Sequence, residues 1–352
     1  MDGLWDTRSG LVRGECVSFA GTSRAPLLFK CSRILRVYST FHGVEFKAGI
    51  DYSFDRACNA VRRIASGAMP MVRASAIHPS RKRALLFPAK GGNAIGGAVD
   101  GGLLIFDNGS FFSSVQCQVD YVASEIDISL PRARKRKLPG LRARLEKGAP
   151  IAVACIGDSI SCGFNASKFT GVPPFQPPYV DLLAEGLRSF SGCEVTLDNL
   201  AVNGSGCAHA LQDPERWLGV DYDLLLVAYG MNDLCTYNGA GFSDVVSRIV
   251  ELSRERHPGA ECIVVAGMSG NPEWRNTSGC RDVVFANALR RKFAWGNDDV
   301  LFADVNSMWR RIAARKNFYD MTGNGVNHPN DYGHRIYAAV LLAELFGADF
   351  FS

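Results

Sequence analysis

The chain has 352 residues, 47% of them hydrophobic and 21% charged, with a formal net charge of +4. This length suits two domains with a sizeable core, the composition argues against large-scale disorder, and the mild charge calls for no polyanionic partner. No stretch approaches the roughly 18 consecutive apolar residues of a bilayer span, so no membrane partner is expected.

The start, "MDGLWDTRSGLVRGEC", lacks the basic-then-apolar pattern of a secretory signal. Eleven cysteines are scattered without a CxxC pair or zinc-ligand spacing, and read as reduced, mostly buried thiols of a cytoplasmic protein. Asn108, Asn165, Asn203 and Asn276 open N-x-S triplets. Two of them fall inside the segments that carry the chemistry below, so they read as chance.

Up to about residue 128, turn signals separate short apolar runs. "LLIFDNGSFF" carries an Asp-Asn-Gly turn and leads into "VQCQVDYV", where Val115, Cys117, Val119 and Tyr121 alternate with polar residues. That period of two predicts a half-buried strand. "GGNAIGGAVDGG" is glycine punctuation, since no lysine-serine pair follows as a phosphate loop requires. Residues 1–128 are expected to form a smaller β-rich, sandwich-like domain.

Residues 129–149 form a Pro-punctuated basic junction, "LPRARKRKLPGLRARLEKG". It is read as a solvated linker with a short helix. The "RARKRK" run has no interleaved aromatics, so no nucleic-acid partner is inferred from it.

From residue 150 to 352 the pattern alternates. "IAVACIGDS", "VTLDNLAV", "DLLLVAYGMND", "CIVVAGMS" and "VLFADV" are apolar runs of strand length with helical stretches between them. In "FSDVVSRIVELSRERHP", Val245, Ile249 and Leu252 share a face, with Ser243 as the expected cap and Pro258 as the stop. A second stripe, "DYGHRIYAAVLLAELF", closes the chain. Continuous apolar strands between amphipathic helices predict a three-layer α/β/α fold on a parallel sheet, with ligands outside the carboxyl ends of the strands.

Four polar residues fall at those ends. Ser159 follows the first strand. Gly204 in "NLAVNGSG" follows the second, where a backbone N–H is open to a ligand. Asn232 in "GMND" follows the third with a side-chain amide. His328 lies in the last loop, "DMTGNGVNHPNDYGH", while His334 falls in the first turn of the next helix. Each has an ordinary reading alone, as a cap, a turn glycine, a turn residue or an exposed loop histidine.

In this order, as "GDSIS", "NLAVNG", "GMND" and "NHPND", the segments resemble the SGNH (GDSL-type) hydrolase family over residues 150–352. The resemblance implies Ser159 as nucleophile and His328 as general base. It also implies an oxyanion hole of the Ser159 N–H, the Gly204 N–H and the Asn232 side chain, with no metal or cofactor. Asp158 would hold the turn before the nucleophile.

The pattern breaks in one place. The family's usual acid stands three residues before the histidine, and here that residue is Gly325. Asp320 is the leading candidate to orient His328, against Asn324 or a backbone carbonyl. Asp331 is read as a cap. An accessory β domain ahead of this style of catalytic domain resembles carbohydrate acetylesterases, so the expected partner is a small-molecule or saccharide ester. A lysophospholipase or thioesterase, and a non-catalytic sugar-binding scaffold, are the alternatives. The loop "FNASKFTGVPPFQPPYV" and the segment around Trp274 are candidate rims of the pocket.

Overall fold

The computed structural model describes residues 3–351. The N-terminal region is built of β1 (Leu11–Ser18), β2 (Arg24–Pro26), β3 (Cys31–Ser39), β4 (Val44–Phe46), β5 (Tyr52–Asp55), β6 (Ala60–Arg63), β7 (Ala94–Gly96), β8 (Leu103–Ile105) and β9 (Gln116–Ala123). They form antiparallel sheets in the orders β1-β9-β3-β4, β2-β6-β5 and β7-β8.

The predicted alternation lies in β9, but the strand is buried on both faces rather than one. Cys117, Val119 and Tyr121 enter the core. The polar face is covered where its side chains are hydrogen-bonded, which offsets the cost of taking them out of water. The Asp120 carboxylate accepts from Gly14 N at 2.6 Å and Arg36 Nε at 2.7 Å. Gln116 Nε2 donates to the carbonyls of Tyr319 and Thr322, both at 2.8 Å, in the segment that leads to His328. The N-terminal sheet therefore packs against the very loop that carries the candidate base.

The junction contains the expected short helix and its basic run is exposed at Arg132, Arg134, Lys135 and Arg136, but its leucines attach it to the structure. Leu138, Leu141 and Leu145 are buried, and the helix Pro139–Lys147 begins with its Gly140 and Leu141 N–H groups donating to the Glu261 carboxylate at 2.9 and 2.7 Å. A proline at the first helical position suits this start, because that N–H would have no helical partner. Arg134 pairs with Glu344 at 3.1 Å.

Five parallel strands follow, β10 (Ile151–Gly157), β11 (Val195–Asn199), β12 (Leu224–Ala228), β13 (Glu261–Ala266) and β14 (Val300–Asp304), one for each apolar run. Their order is β11-β10-β12-β13-β14. The helix pairs Tyr179–Ser191 with Asp331–Phe346, and Gly239–Arg256 with Arg281–Phe293, cover the sheet. Covered faces explain why β12 and β13 read as unbroken apolar runs, with Leu224, Leu225 and Leu226 fully buried.

Two helix starts differ from expectation. Gly239–Arg256 begins four residues before Ser243, capped by Asn238, whose side chain accepts from Gly241 N at 2.8 Å. The glycines at 239 and 241 hide that first turn from a periodicity argument. The last helix is capped by Asn330, which accepts from Gly333 N at 2.9 Å, and not by Asp331, whose carboxylate accepts from Ser167 N at 2.7 Å. No helix among the described residues is long and apolar enough to cross a membrane.

Candidate active site

The chain leaves β10 toward β11 on one side and later returns to β12 on the other, so the order of the sheet switches beside β10. Such a point opens a crevice at the carboxyl ends of the strands. Ser159 stands there, the first residue of the short helix Ser159–Cys162. Asp158 caps that helix by accepting from Ile160 N at 2.9 Å. Burial pushes the Asp158 carboxyl up to about 7.

The loops after β11 and β12 flank the serine. Gly204 has φ +75°, and a Cβ placed on it would meet open space, so nothing crowds its backbone on that side. An L side chain is disfavoured at that φ, which accounts for glycine here. Among the described residues no protein acceptor takes the Gly204 N–H. Asn232 is exposed and donates one amide hydrogen to Ser205 O at 3.0 Å, leaving its second for another acceptor. The adjacent loops are tied together. Ser205 Oγ donates to Gly157 O at 3.1 Å, and the buried Asp233 carboxylate accepts from Cys207 N at 2.9 Å. Asp233 has no counterpart in the sequence reading, although it follows Asn232 directly.

His328 Nε2 lies 2.9 Å from Ser159 Oγ. The two residues are 4% and 3% exposed, so their hydrogen bond is nearly dry. Burial pushes the His328 imidazole down to about 3, and His334 adds to the shift. His334 is not a rival base. It is fully buried, takes Tyr179 N on Nδ1 at 3.3 Å and gives Nε2 to Phe164 O at 3.3 Å.

Asp320 does not orient His328. Its carboxylate accepts from Ser18 N at 2.6 Å and Asn317 N at 3.1 Å, and pairs with Lys316 at 3.3 Å. Lys316 sits four residues earlier, on the same buried turn, and captures the carboxylate before the loop reaches the histidine. Asn324 is engaged too, its Oδ1 accepting from the N–H groups of Val326, Asn327 and His328 at 2.9, 2.9 and 3.0 Å. It shapes the loop and leaves the ring alone. The group on His328 Nδ1 is Asn165 Oδ1, at 2.8 Å, from the loop just past the nucleophile.

Of the two candidate rims, one is near the pair. Phe164 meets the His328 ring edge-on at 5.3 Å between centroids, and Phe169 packs on Phe164. Trp274 instead packs half-buried against Ala98, Leu104, Phe106 and Val326, and its segment bridges to the N-terminal region at Ala98.

A buried serine hydrogen-bonded to a buried histidine, at the switch point of a parallel sheet, defines a serine esterase of the SGNH type. Residues 155–336, more than half of the chain, match the GDSL-like Lipase/Acylhydrolase family, and the chain belongs to it. No curated protein matches the sequence. Among solved structures it is similar to a two-domain esterase (CEX) active on acetylated mannans, at 18% identity and TM-score 0.48 over 62% of this chain and 54% of the other. The chain thus spans about half the length of that esterase. It is similar to a catalytic mutant of Axe2, an acetylxylan esterase from Geobacillus stearothermophilus, at 16% identity and TM-score 0.45, covering 56% of this chain and 94% of the other. It is also similar to LAE5, an alpha/beta hydrolase from the metagenome of Lake Arreo, Spain, at 19% identity and TM-score 0.45, over 56% and 96%.

The buried imidazole sets a pH expectation. A general base must be neutral, and a ring held at about 3 stays neutral throughout the weakly acidic range. Between pH 8 and pH 5, kcat/KM is expected to lose nothing to His328 protonation. A pH–rate profile with an acid limb centred near 6.5, the ordinary imidazole value, would show that the ring is solvated when it works.

Proposed function

We propose that the protein hydrolyses carboxylic esters through an acyl-Ser159 intermediate, and that it removes small acyl groups, acetyl first, from carbohydrate-like substrates. The observation that carries this reading is the 2.9 Å hydrogen bond from Ser159 to His328. Ser159 Oγ attacks the ester carbonyl as its proton passes to His328 Nε2. The oxyanion accepts from the Ser159 and Gly204 N–H groups and the free Asn232 amide hydrogen. His328 then gives the proton to the departing alkoxide, and water repeats the sequence to release the acid.

Acyl size follows from burial. With both reacting side chains at most 4% exposed, the ester must approach through a narrow opening, which favours a short acyl group. Phe169 and Phe175, 46% and 56% exposed on the loop that follows the nucleophile, offer apolar faces of the kind that sugar rings stack on. All eleven cysteines are unpaired, which supports a reducing, cytoplasmic setting.

The test is a p-nitrophenyl ester series from acetyl to octanoyl, beside acetylated manno- and xylo-oligosaccharides. Acetylated mannans and acetylxylan are the substrates of two of the esterases described above. In a tight pocket each surplus methylene costs about 1–3 kcal/mol, so kcat/KM is expected to fall about tenfold or more beyond butyryl. An octanoyl ester cleaved as fast as acetyl would assign the site to long-chain esters instead.

A further inference from the structure

The position of the family's usual acid is closed by the N-terminal region. Gly325 has φ +87°, and a Cβ there would lie 2.7 Å from Ile105 O and 3.0 Å from the Phe112 ring. No carboxylate side chain fits. The Asp107 N–H also donates to Asn324 O at 3.1 Å, so the segment after β8 runs alongside the His328 loop.

That same segment holds the group that does reach the ring. Asn165 is 2% exposed and left-handed, with φ +62°, a conformation asparagine adopts more readily than most residues. Its Nδ2 faces two carbonyl oxygens of the N-terminal region, Gly109 O at 3.1 Å and Asp107 O at 3.3 Å. A side-chain oxygen placed there would confront two acceptors with no hydrogen between them. The amide is therefore fixed one way round, with Oδ1 toward His328 Nδ1. An acceptor at 2.8 Å requires the proton on Nδ1, which leaves the Nε2 lone pair facing Ser159 Oγ.

We propose that Asn165 is the positioning residue that sets the His328 tautomer, and that the N-terminal region sets Asn165 through the Asp107 and Gly109 carbonyls. The antiparallel region is then a working part of the catalytic centre, supplying the outer layer of an otherwise acid-free Ser–His pair. The amide oxygen orients the ring by accepting a hydrogen bond from its Nδ1–H, without bringing a net charge. This rests on the esterase reading only for its kinetic arm.

Asp107 organises the carbonyl-bearing turn, its Oδ1 accepting from Gly109 N at 2.9 Å and Phe111 N at 3.2 Å. Both positions can be tested in the full chain. Asn165→Gly keeps the left-handed backbone and deletes the amide. Asn165→Asp keeps an oxygen for Nδ1 whichever form the carboxyl takes and, when protonated, also an O–H for a carbonyl. Ring 15N shifts of His328 are expected to report Nδ1–H in the parent, a mixture of tautomers in Asn165→Gly, and Nδ1–H again in Asn165→Asp. In parallel, kcat is expected to drop at least about tenfold in Asn165→Gly with KM little changed, within the range base catalysis supplies, and to recover in Asn165→Asp. Asp107→Ala is expected to repeat the glycine phenotype more weakly.

A parent ring protonated on Nε2, or an Asn165→Gly protein with parental tautomer and kcat, would overturn the proposal. The NMR arm needs no substrate. The expected tautomers together with no Ser159-dependent hydrolysis would uphold the placement and remove the esterase reading, so the two failures are separable.

Discussion

Replacing Ser159 with alanine is expected to abolish hydrolysis of p-nitrophenyl acetate, with kcat lower by about 10⁴-fold or more. The size of the effect follows from what remains. Without Oγ there is no acyl intermediate, and His328 has nothing to deprotonate except water that must enter a nearly dry site. The proposed oxyanion donors, the backbone N–H at position 159, the Gly204 N–H and Asn232, are untouched by the substitution and account for a residual rate above water. The substitution removes one buried oxygen and one hydrogen bond, so a stability loss of only about 1 kcal/mol is expected, and lost activity would not reflect lost fold. Parent and variant are compared on the same ester at matched folded concentration. Equal rates would remove Ser159 from the chemistry, and a sugar-binding scaffold would then be the better account of the geometry around His328.

The sequence and the structure agree where the signal is local. Each run became a parallel strand, and β10, β12, β13 and β14 are apolar nearly throughout because both their faces are covered, whereas β11, at the sheet edge, leaves Thr196, Asp198 and Asn199 exposed. Ser159 and His328 were legible because they sit at strand ends and in the last loop, which the sheet order brings together. What was not legible depends on contacts across the chain. Asn165 stands out only as the start of an N-x-S triplet, and nothing nearby in sequence announces that it will meet His328, 163 residues away. Its role needs the 107–109 turn from the other region as well. Asp320 misled for a related reason. Carboxylates eight residues from a histidine look available until the competing cation is counted, and Lys316 lay in plain sight four residues upstream. The polar face of β9 read as solvated because amphipathic patterning cannot distinguish water from a hydrogen-bonded neighbour.

Lys316 also carries the second large effect, on stability. It is fully buried with Glu15 and Asp320, its Nζ 2.7 Å from Glu15 Oε1, 2.8 Å from Pro26 O and 3.3 Å from Asp320 Oδ2. Glu15 further accepts from Leu28 N at 2.8 Å and Tyr121 Oη at 2.7 Å, so the cluster joins β1, the β2–β3 turn and β9 to the segment ahead of the His328 loop. Burial alone would lower the lysine, but Asp320 and Glu15 outweigh it and hold the ammonium above its usual range. Asp320 is pushed up to about 6 by burial, against the pull of Lys316.

Lys316→Met keeps the length and apolar stem while leaving two carboxylates without a cation, and breaking a buried pair in this way costs about 3–5 kcal/mol. Denaturant unfolding is expected to show that loss at pH 8. The pH dependence supplies the check, because the sign is set by which state holds the proton. A carboxyl raised in the folded state binds protons that the unfolded chain releases between about 3.8 and 6, so its folded form gains stability as pH falls through that window. Without the lysine Asp320 rises further, and its protonation relieves the uncompensated charge. The stability gap between parent and variant is therefore expected to narrow from pH 8 to pH 5. A gap that stays constant would mean that Lys316 acts through its packing rather than its charge. A gap below about 1 kcal/mol at pH 8 would place the lysine in water, outside the cluster that fastens the N-terminal sheet to the catalytic loop.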